Sequence, residues 1–246
     1  MTPLVLLHAF PLSRVMYDPV VRLISRRTVV PDLPGFGSEP LAAGEPSLDV
    51  YADHVVGVMD RLGIDRGVIA GTSMGGYAAM AMWRRYPERV AGLGLIDTKA
   101  SADAPEAAAG RRQMASVMEE QGTTGPLIES VLPKLLGETT VASRPDVAAS
   151  VRDWVSTCDP RAAAWAQRAM AARPDSFDTL RRVDVPSLVV VGEEDVLAPR
   201  GDAEAMAEAL PDVALVAVPE AGHLTPVESP ADVVSALERL CVRADG

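Results

Sequence analysis

The stretch Gly67-Val68-Ile69-Ala70-Gly71-Thr72-Ser73-Met74-Gly75-Gly76 decides the fold of this chain. Its first four residues are a short apolar run that predicts a buried strand, and Tyr77 to Tyr86 follow with a helical pattern. Between the two lies a Gly-x-Ser-x-Gly motif centred on Ser73. A strand that turns sharply into a helix strains its central residue, and only flanking residues without bulk allow such a turn. The pattern therefore predicts that Ser73 is a nucleophile at the N-terminus of a helix.

Outward from this motif, short apolar runs alternate with helical patterns. Six runs predict strands: Pro3–Leu7, Thr28–Val30, Gly67–Ala70, Val90–Ile96, Pro186–Val191 and Val213–Val218. Helices are predicted at 47–62, 77–86, 203–210 and 230–240. This alternation is typical of βαβ units, so it predicts an α/β fold with a mostly parallel sheet of about six strands and helices on both faces.

The alternation stops between Thr98 and about Leu180. This part of the chain is rich in Ala, helical in period and interrupted by Gly and Pro. Ligands of open α/β sheets bind beyond the carboxyl ends of the strands. We therefore expect residues 1–98 and 181–246 to form the core and residues 99–180 to form a helical lid insertion over that end of the sheet.

A serine nucleophile needs a base, and the chain has only three histidines. His223 follows the last predicted strand, whereas His8 ends the first strand and His54 lies in a helical segment, where we expect it on a surface. His223 is therefore the predicted base, and His8 is expected to bond within its own loop.

The imidazole in turn needs a carboxylate that holds its tautomer. Asp195 follows the fifth strand and is the predicted acid, with Glu193 and Glu194 as neighbouring alternatives. Asp97 is a further alternative because it ends the fourth strand, although a helix cap or a lid contact is also open for it.

Two main-chain N–H groups are expected to stabilise an oxyanion, that of Met74 after the nucleophile and that of Phe10 in the loop after the first strand. The Trp and Met residues of the insertion either pack in its core or line an apolar pocket, and the candidate pocket residues are Trp154, Trp165 and Leu224. Arg111 and Arg112 either meet an anionic substrate or form a solvated face.

Several motifs in order resemble the α/β-hydrolase superfamily: His8-Ala9-Phe10-Pro11, Asp32-Leu33-Pro34-Gly35-Phe36-Gly37-Ser38, the Ser73 motif, Gly192-Glu193-Glu194-Asp195 and Ala221-Gly222-His223. The chain is similar to small lidded bacterial members such as 3-oxoadipate enol-lactonases, carboxylesterases and cofactor-free haloperoxidases. The resemblance implies an acyl-enzyme on a Ser-His-Asp triad, because dehalogenases and epoxide hydrolases of this fold have Asp at the nucleophile position.

The sequence departs from the superfamily at two points. Ala9 stands where a Gly is usual, so the backbone there must suit a residue with a Cβ. The chain also starts almost on the first predicted strand, so the N-terminal edge hairpin of the superfamily is expected to be missing.

Composition limits the partners. The chain has 246 residues and a formal net charge of −11, which argues against nucleic acid and anionic lipid. No residues have metal-ligand spacing, no cofactor motif is present, and Cys158 and Cys241 form no redox motif. We therefore expect a cytoplasmic protein without a cofactor that acts on a small molecule, and the oligomeric state stays open.

Three functions fit these motifs. The favoured one is hydrolysis of a small carboxylic ester or enol-lactone. A lyase or C–C bond hydrolase could use the same residues, and a hydrolase fold could also serve as a non-catalytic ligand-binding protein.

Overall fold

A computed structural model describes residues 1–246 and shows a six-stranded parallel sheet. The strands are β1 Leu4–Leu7, β2 Thr28–Val29, β3 Gly67–Thr72, β4 Val90–Ile96, β5 Ser187–Gly192 and β6 Val213–Val218. Their order across the sheet is β2-β1-β3-β4-β5-β6, and every neighbouring pair is parallel. The predicted α/β class is confirmed, and each predicted strand lies within two residues of an observed one.

Twelve α-helices accompany the sheet: α1 Asp18–Val21, α2 Leu48–Arg61, α3 Met74–Arg85, α4 Pro105–Gln121, α5 Gly125–Ser130, α6 Glu138–Ser143, α7 Pro145–Ser156, α8 Pro160–Ala171, α9 Phe177–Leu180, α10 Arg200–Ala209, α11 Thr225–Glu228 and α12 Pro230–Asp245. Short 3₁₀ turns occur at Arg14–Tyr17, Pro87–Arg89 and Leu132–Lys134. None of the helices is both long enough and apolar enough to cross a membrane.

Helices cover both faces of the sheet. Helix α3 packs on β1, β3 and β4, with α2 against it, whereas α12 packs on β4 and β5 and contacts α1. Strand β4 allows the close approach of α12 because Gly92 and Gly94 leave room for the side chain of Leu240. The strands are apolar because packing on both faces removes most of the sheet from water.

Two helix ends differ from the sequence prediction. Helix α3 begins at Met74 rather than at Tyr77, since Gly75 and Gly76, which are weak helix formers, are held in helical conformation by close packing. Helix α12 continues to Asp245, five residues beyond the predicted end. Its last turn is held by tertiary contacts, because Arg243 donates a hydrogen bond to the carbonyl oxygen of Ser187 at 3.0 Å.

Six helices, α4 to α9, lie between β4 and β5 and constitute what we call the helical insertion (residues 99–180). Helices α4 and α8 form its main pair and pack closely along each other. Small side chains, among them Ala115 on α4 and Ala166 on α8, are fully buried in the insertion and permit this close approach.

The turn between β3 and α3 provides a test of steric constraint. A Cβ on Gly75 would lie 2.1 Å from the carbonyl oxygen of Leu7, which is backbone and cannot move aside cheaply. We expect Gly75→Ala to lower the free energy of unfolding by about 3 kcal/mol in urea titrations. Gly110→Ala is the control, because a Cβ there has no atom within 4 Å on the exposed face of α4. It should stabilise the protein by up to about 1 kcal/mol. Equal effects of the two substitutions would contradict the steric argument.

Candidate active site

The backbone of Ser73 is strained. Its φ is +52° and its ψ is −112°, a conformation that residues with a Cβ adopt rarely and that costs about 1–3 kcal/mol. Hydrogen bonds hold it in place: the Ser73 N–H donates to the Ile96 carbonyl at 2.9 Å, and the Thr98 hydroxyl donates to the Ser73 carbonyl at 2.8 Å. The turn therefore directs the Ser73 side chain out of the sheet at the N-terminus of α3.

Three glycines make this turn possible because each leaves room for closely packed neighbouring atoms. A Cβ on Gly71 would lie 2.1 Å from the carbonyl of Gly75, and a Cβ on Gly76 would lie 2.6 Å from the side chain of Thr98. The steric argument by which the sequence predicted this turn therefore holds at Gly71, Gly75 and Gly76.

Ser73, His223 and Asp195 form one hydrogen-bonded chain in the structure. The Ser73 Oγ lies 2.8 Å from His223 Nε2, and His223 Nδ1 lies 2.8 Å from Asp195 Oδ2. The other oxygen of Asp195 accepts hydrogen bonds from the main-chain N–H groups of Leu197 at 2.8 Å and Ala198 at 3.0 Å. The carboxylate is thereby fixed on both sides, and the imidazole is oriented between it and the serine.

The neighbouring carboxylates do not contact His223. Glu194 instead accepts hydrogen bonds from the N–H and the hydroxyl of Thr139 in the helical insertion, at 3.0 and 2.5 Å. Glu193 makes a main-chain bond to Val218. Of the three consecutive acids, Asp195 is the one that hydrogen-bonds to His223.

Asp97 has a different position from either of those expected. It is fully buried, has a φ of +46° and makes no hydrogen bond to the insertion. It does not cap a helix that follows it in the chain, but its carboxylate contacts the N-terminus of α11. Its carboxylate accepts hydrogen bonds from the Gly192 N–H at 3.1 Å and from the N–H and hydroxyl of Thr225 at 2.9 and 2.7 Å. Asp97 thus joins the ends of β4 and β5 to the loop that carries His223. Burial, together with the negative charge of Asp195, raises the pKa of Asp97 to about 7.

The two other histidines have structural positions. His8 Nδ1 donates to the Ala9 carbonyl at 3.0 Å, and its Nε2 accepts from the Leu33 N–H at 3.0 Å, so it joins two loops rather than one. Burial lowers the pKa of His8 to about 4, which keeps the ring neutral. The expectation of a surface His54 is wrong: its side chain is only 13% exposed and its Nδ1 lies 3.7 Å from Glu39.

Neither of the two proposed oxyanion donors has a hydrogen-bond acceptor within the protein. The N–H of Phe10 makes no hydrogen bond within the protein, and the N–H of Met74 opens α3, where no intrahelical carbonyl can accept it. Ala9, which replaces the usual Gly, has a negative φ and fits without strain.

A cavity of about 270 Å³ lies beside Ser73 and His223. Its wall combines Phe10 and Leu197 of the core with residues of the helical insertion: Ala107, Arg111, Val131, Leu135, Gln167 and Met170. Larger depressions elsewhere share no residue with the Ser73–His223–Asp195 chain. No group of three or more His, Cys, Asp or Glu side chains is placed to hold a metal ion.

The three pocket residues proposed from the sequence do not line this cavity. Trp165 is buried against Tyr51, with ring centroids 5.3 Å apart, and donates from Nε1 to the Gly44 carbonyl. Trp154 lines two other depressions, which lie between the insertion and the core, and Leu224 is fully buried. Arg111 and Met170 take their place, because α4 and α8 are rotated so that these side chains face Ser73.

Glu228 is a residue that the sequence analysis missed. One of its oxygens accepts from the N–H groups of Gly222 at 3.0 Å and Leu224 at 3.1 Å, on either side of His223. The other accepts from the Gly137 N–H of the insertion at 2.8 Å. The signal was present as Thr225-x-x-Glu228, a pattern similar to a capping box, in which an acid reaches back to the start of its helix.

Comparison with known proteins identifies the family of the fold. Residues 4–237 match the model of the Alpha/beta hydrolase family. The chain belongs to this family. It is also 37% identical to a thermophilic esterase from Thermogutta terrifontis, solved with malate bound, at a TM-score of 0.96 covering 100% of this chain and 91% of that one. The enol-lactonase from Burkholderia xenovorans LB400 superposes with a TM-score of 0.87 at 25% identity, over 98% of this chain and 91% of that one.

A shorter stretch of the chain matches another hydrolase at higher identity. Over 73 residues the chain is 47% identical to the 2-hydroxymuconate semialdehyde hydrolase of Pseudomonas sp. strain CF600. The match covers 29% of this chain and only 26% of that hydrolase. The resemblance to the α/β-hydrolase superfamily is thus confirmed, and relatives with different reactions share it.

The raised pKa of Asp97 has a measurable consequence for stability. Because ionising Asp97 costs more in the folded protein than in the unfolded chain, its contribution is present at low pH and is lost as the pH rises from about 4 to about 7. We expect the stability of the wild-type protein relative to Asp97→Asn to fall over this range, by at most about 1.4 kcal/mol per pH unit. Urea unfolding of both proteins between about pH 4.5 and about pH 7.5 measures this fall in relative stability.

Asp184→Asn is the matched control for this substitution, since Asp184 is exposed and forms no ion pair. If the wild-type protein instead becomes more stable relative to Asp97→Asn as the pH rises, the three hydrogen bonds of Asp97 outweigh its burial.

Proposed function

We propose that this chain is a serine hydrolase that cleaves a small carboxylic ester or lactone through an acyl-enzyme and needs no cofactor. The observation that carries the proposal is the continuous chain from Ser73 through His223 to Asp195, with both links at 2.8 Å, opening on a cavity. The identity to the Thermogutta esterase and the Burkholderia enol-lactonase supports an acyl substrate.

In the proposed reaction, the Ser73 oxygen attacks the carbonyl carbon of the ester while its proton passes to His223 Nε2. The tetrahedral intermediate then collapses, the bond to the leaving alcohol breaks, and His223 gives the proton to that oxygen. A water molecule deprotonated by His223 attacks the acyl-enzyme, releases the carboxylic acid and restores the Ser73 hydroxyl.

Asp195 acts on this sequence through the imidazole. It accepts the Nδ1–H of His223 and therefore leaves Nε2 free to take the serine proton. Its second oxygen accepts hydrogen bonds from the N–H groups of Leu197 and Ala198, which fix the carboxylate in place. The negative charge then stabilises the imidazolium that forms during attack.

The developing oxyanion would be met by the N–H groups of Phe10 and Met74. Both are main-chain donors that no protein acceptor occupies, and the Met74 N–H lies at the positive end of the α3 dipole. Preorganised donors of this kind contribute about 3–4 kcal/mol each to the stability of the transition state.

The helical insertion (residues 99–180) would serve as a lid. It supplies much of the cavity wall, and Gly137 and Thr139 of the insertion bind to Glu228 and Glu194 beside the His223 and Asp195 loops. A roof connected in this way would exclude bulk water from the acyl-enzyme while setting the size of the substrate.

Ser73→Ala tests the nucleophile. We expect it to lower the rate of p-nitrophenyl acetate hydrolysis by about 10³-fold or more and to abolish covalent labelling by a fluorophosphonate probe, because the attacking oxygen is gone. Mass spectrometry locates the label and spectrophotometry measures turnover. Ser150→Ala, on the exposed face of α7, is the control and should behave as the wild-type protein. Labelling that persists in Ser73→Ala would refute the assignment.

Asp195→Asn tests which carboxylate orients the base. An amide at this position donates to the imidazole instead of accepting from it, so we expect kcat to fall by about 10³- to 10⁴-fold. Asp97 lies next to the Ser73–His223–Asp195 hydrogen-bonded chain without contacting His223, so Asp97→Asn should reduce kcat far less. The reverse ranking would assign the role of acid to Asp97.

Hydrolysis of a C–C bond is the second candidate. The 47% identity over 73 residues to 2-hydroxymuconate semialdehyde hydrolase favours it, because that stretch is more similar than the full-length matches to the esterase or the enol-lactonase. A protein whose Ser73 is labelled by the fluorophosphonate, but which hydrolyses esters only at background rates and removes the absorbance of 2-hydroxymuconate semialdehyde, would support this reaction instead.

A further inference from the structure

The cavity beside Ser73 has a charge opposite to that of the protein as a whole. The chain carries a formal net charge of −11, yet the cavity wall holds two basic side chains, Lys99 and Arg111, and a single carboxylate, Asp103. The remaining wall is apolar or neutral, apart from His223. Positive charge in a recess with low-dielectric walls concentrates anions there.

Arg111 is held in a defined orientation. Its Nε donates to Asp103 Oδ2 at 2.6 Å and its Nη1 donates to Gln167 Oε1 at 2.9 Å, while Nη2 has no hydrogen-bond partner in the protein. The side chain is only 26% exposed. A guanidinium that is fixed by two neighbours and keeps a free donor is suited to bind a carboxylate.

Asp103 does not cancel this charge, because it is shared. Its other oxygen accepts from Arg173 Nη2 at 2.7 Å, and both of these side chains are almost completely buried. The Arg173 guanidinium also stacks on the ring of Tyr77, a cavity residue, at 4.2 Å. Two guanidinium groups therefore share the carboxylate of Asp103, and Asp202 supplies a second carboxylate near Arg173. The positive charge without a partner in the cavity wall is that of Lys99.

Lys99 adds a second free donor. It follows β4 by three residues, is partly buried, and forms no ion pair or hydrogen bond with any protein group. Burying an unpaired ammonium costs free energy, and a partner that enters the cavity would recover part of that cost.

We propose that the substrate is an ester or lactone that carries a free carboxylate, which Arg111 and Lys99 bind while Ser73 attacks the ester carbonyl. This inference rests on the proposed function and names its substrate class: half-esters of short dicarboxylic acids, or short hydroxy acids that are acylated on their hydroxyl group. The free carboxylate is not transformed in the reaction, so it positions the substrate and does not enter the chemistry.

Two matched pairs of substrates test the inference in a pH-stat assay. Monoethyl glutarate against ethyl pentanoate places the charge on the acyl side, and 4-acetoxybutanoate against butyl acetate places it on the alcohol side. We expect the wild-type protein to favour the anionic ester in at least one pair by about 10-fold or more in kcat/KM. Absence of any such preference in both pairs would overturn the inference.

Arg111→Gln and Lys99→Gln test the two residues. Each should lower kcat/KM for the favoured anionic ester by about 10-fold, mainly through KM, and should change the neutral partner by less than about 3-fold. Lys99→Gln leaves the Asp103 bonds intact, so it keeps the test valid if Arg111→Gln destabilises the fold. Arg112→Gln, one residue along α4 and exposed, is the control and should have no effect. An equal loss on both esters would contradict recognition of the charge.

The failure of this inference and that of the proposed function give different results. Hydrolysis of both esters without preference overturns only the inference. If no ester is hydrolysed and the fluorophosphonate does not label Ser73, the proposed function fails, and the substrate class fails with it.

Discussion

The backbone of Ser73, at a φ of +52°, is the constraint on which the arrangement around it depends. Strain of about 1–3 kcal/mol persists at one residue only where its surroundings leave no alternative. Here the surroundings are the Ile96 carbonyl on β4, the Thr98 hydroxyl, and glycines that pack main chain against main chain. The sheet, α3 and the strand end beyond Ile96 are thereby tied to one geometry, which presents the Ser73 hydroxyl at a helix N-terminus.

Buried carboxylates then bring the other loops to that serine. Asp97 joins the end of β5 to Thr225, Glu228 holds the main chain on both sides of His223, and Asp195 holds the imidazole. Each of these acids satisfies main-chain N–H groups in loops that would otherwise be buried without partners. These polar contacts therefore hold the loops in place, and the loops position Asp195 and His223 beside Ser73. Glu194 and Glu228 extend the same arrangement into the helical insertion, so that the cavity roof and the His223 loop share their supports.

The charge of the cavity contrasts with the acidic surface. In a chain with 34 acidic and 23 basic residues, the cavity wall holds Lys99 and Arg111 beside one carboxylate, Asp103, which also pairs with Arg173. A negative surface opposes binding to other polyanions, whereas a local positive recess selects small anions. The proposed preference for a carboxylate-bearing ester combines these two properties.

Much of this protein could be predicted from the sequence by itself. The strand-forming runs, the helix cap at Ser47, and the positions of Ser73, Asp195 and His223 at strand ends all depend on local patterns and on chain order. The carboxyl ends of parallel strands meet at one edge, so residues placed there must come together. Only the tertiary structure decided the cavity wall. Trp154, Trp165 and Leu224 lie outside it and Arg111 lies within it, because the face that each helix of the insertion turns toward Ser73 depends on how those helices pack on one another and on the sheet. The role of Asp97, with its raised pKa, likewise arises from burial among loops distant in sequence, which no local pattern encodes.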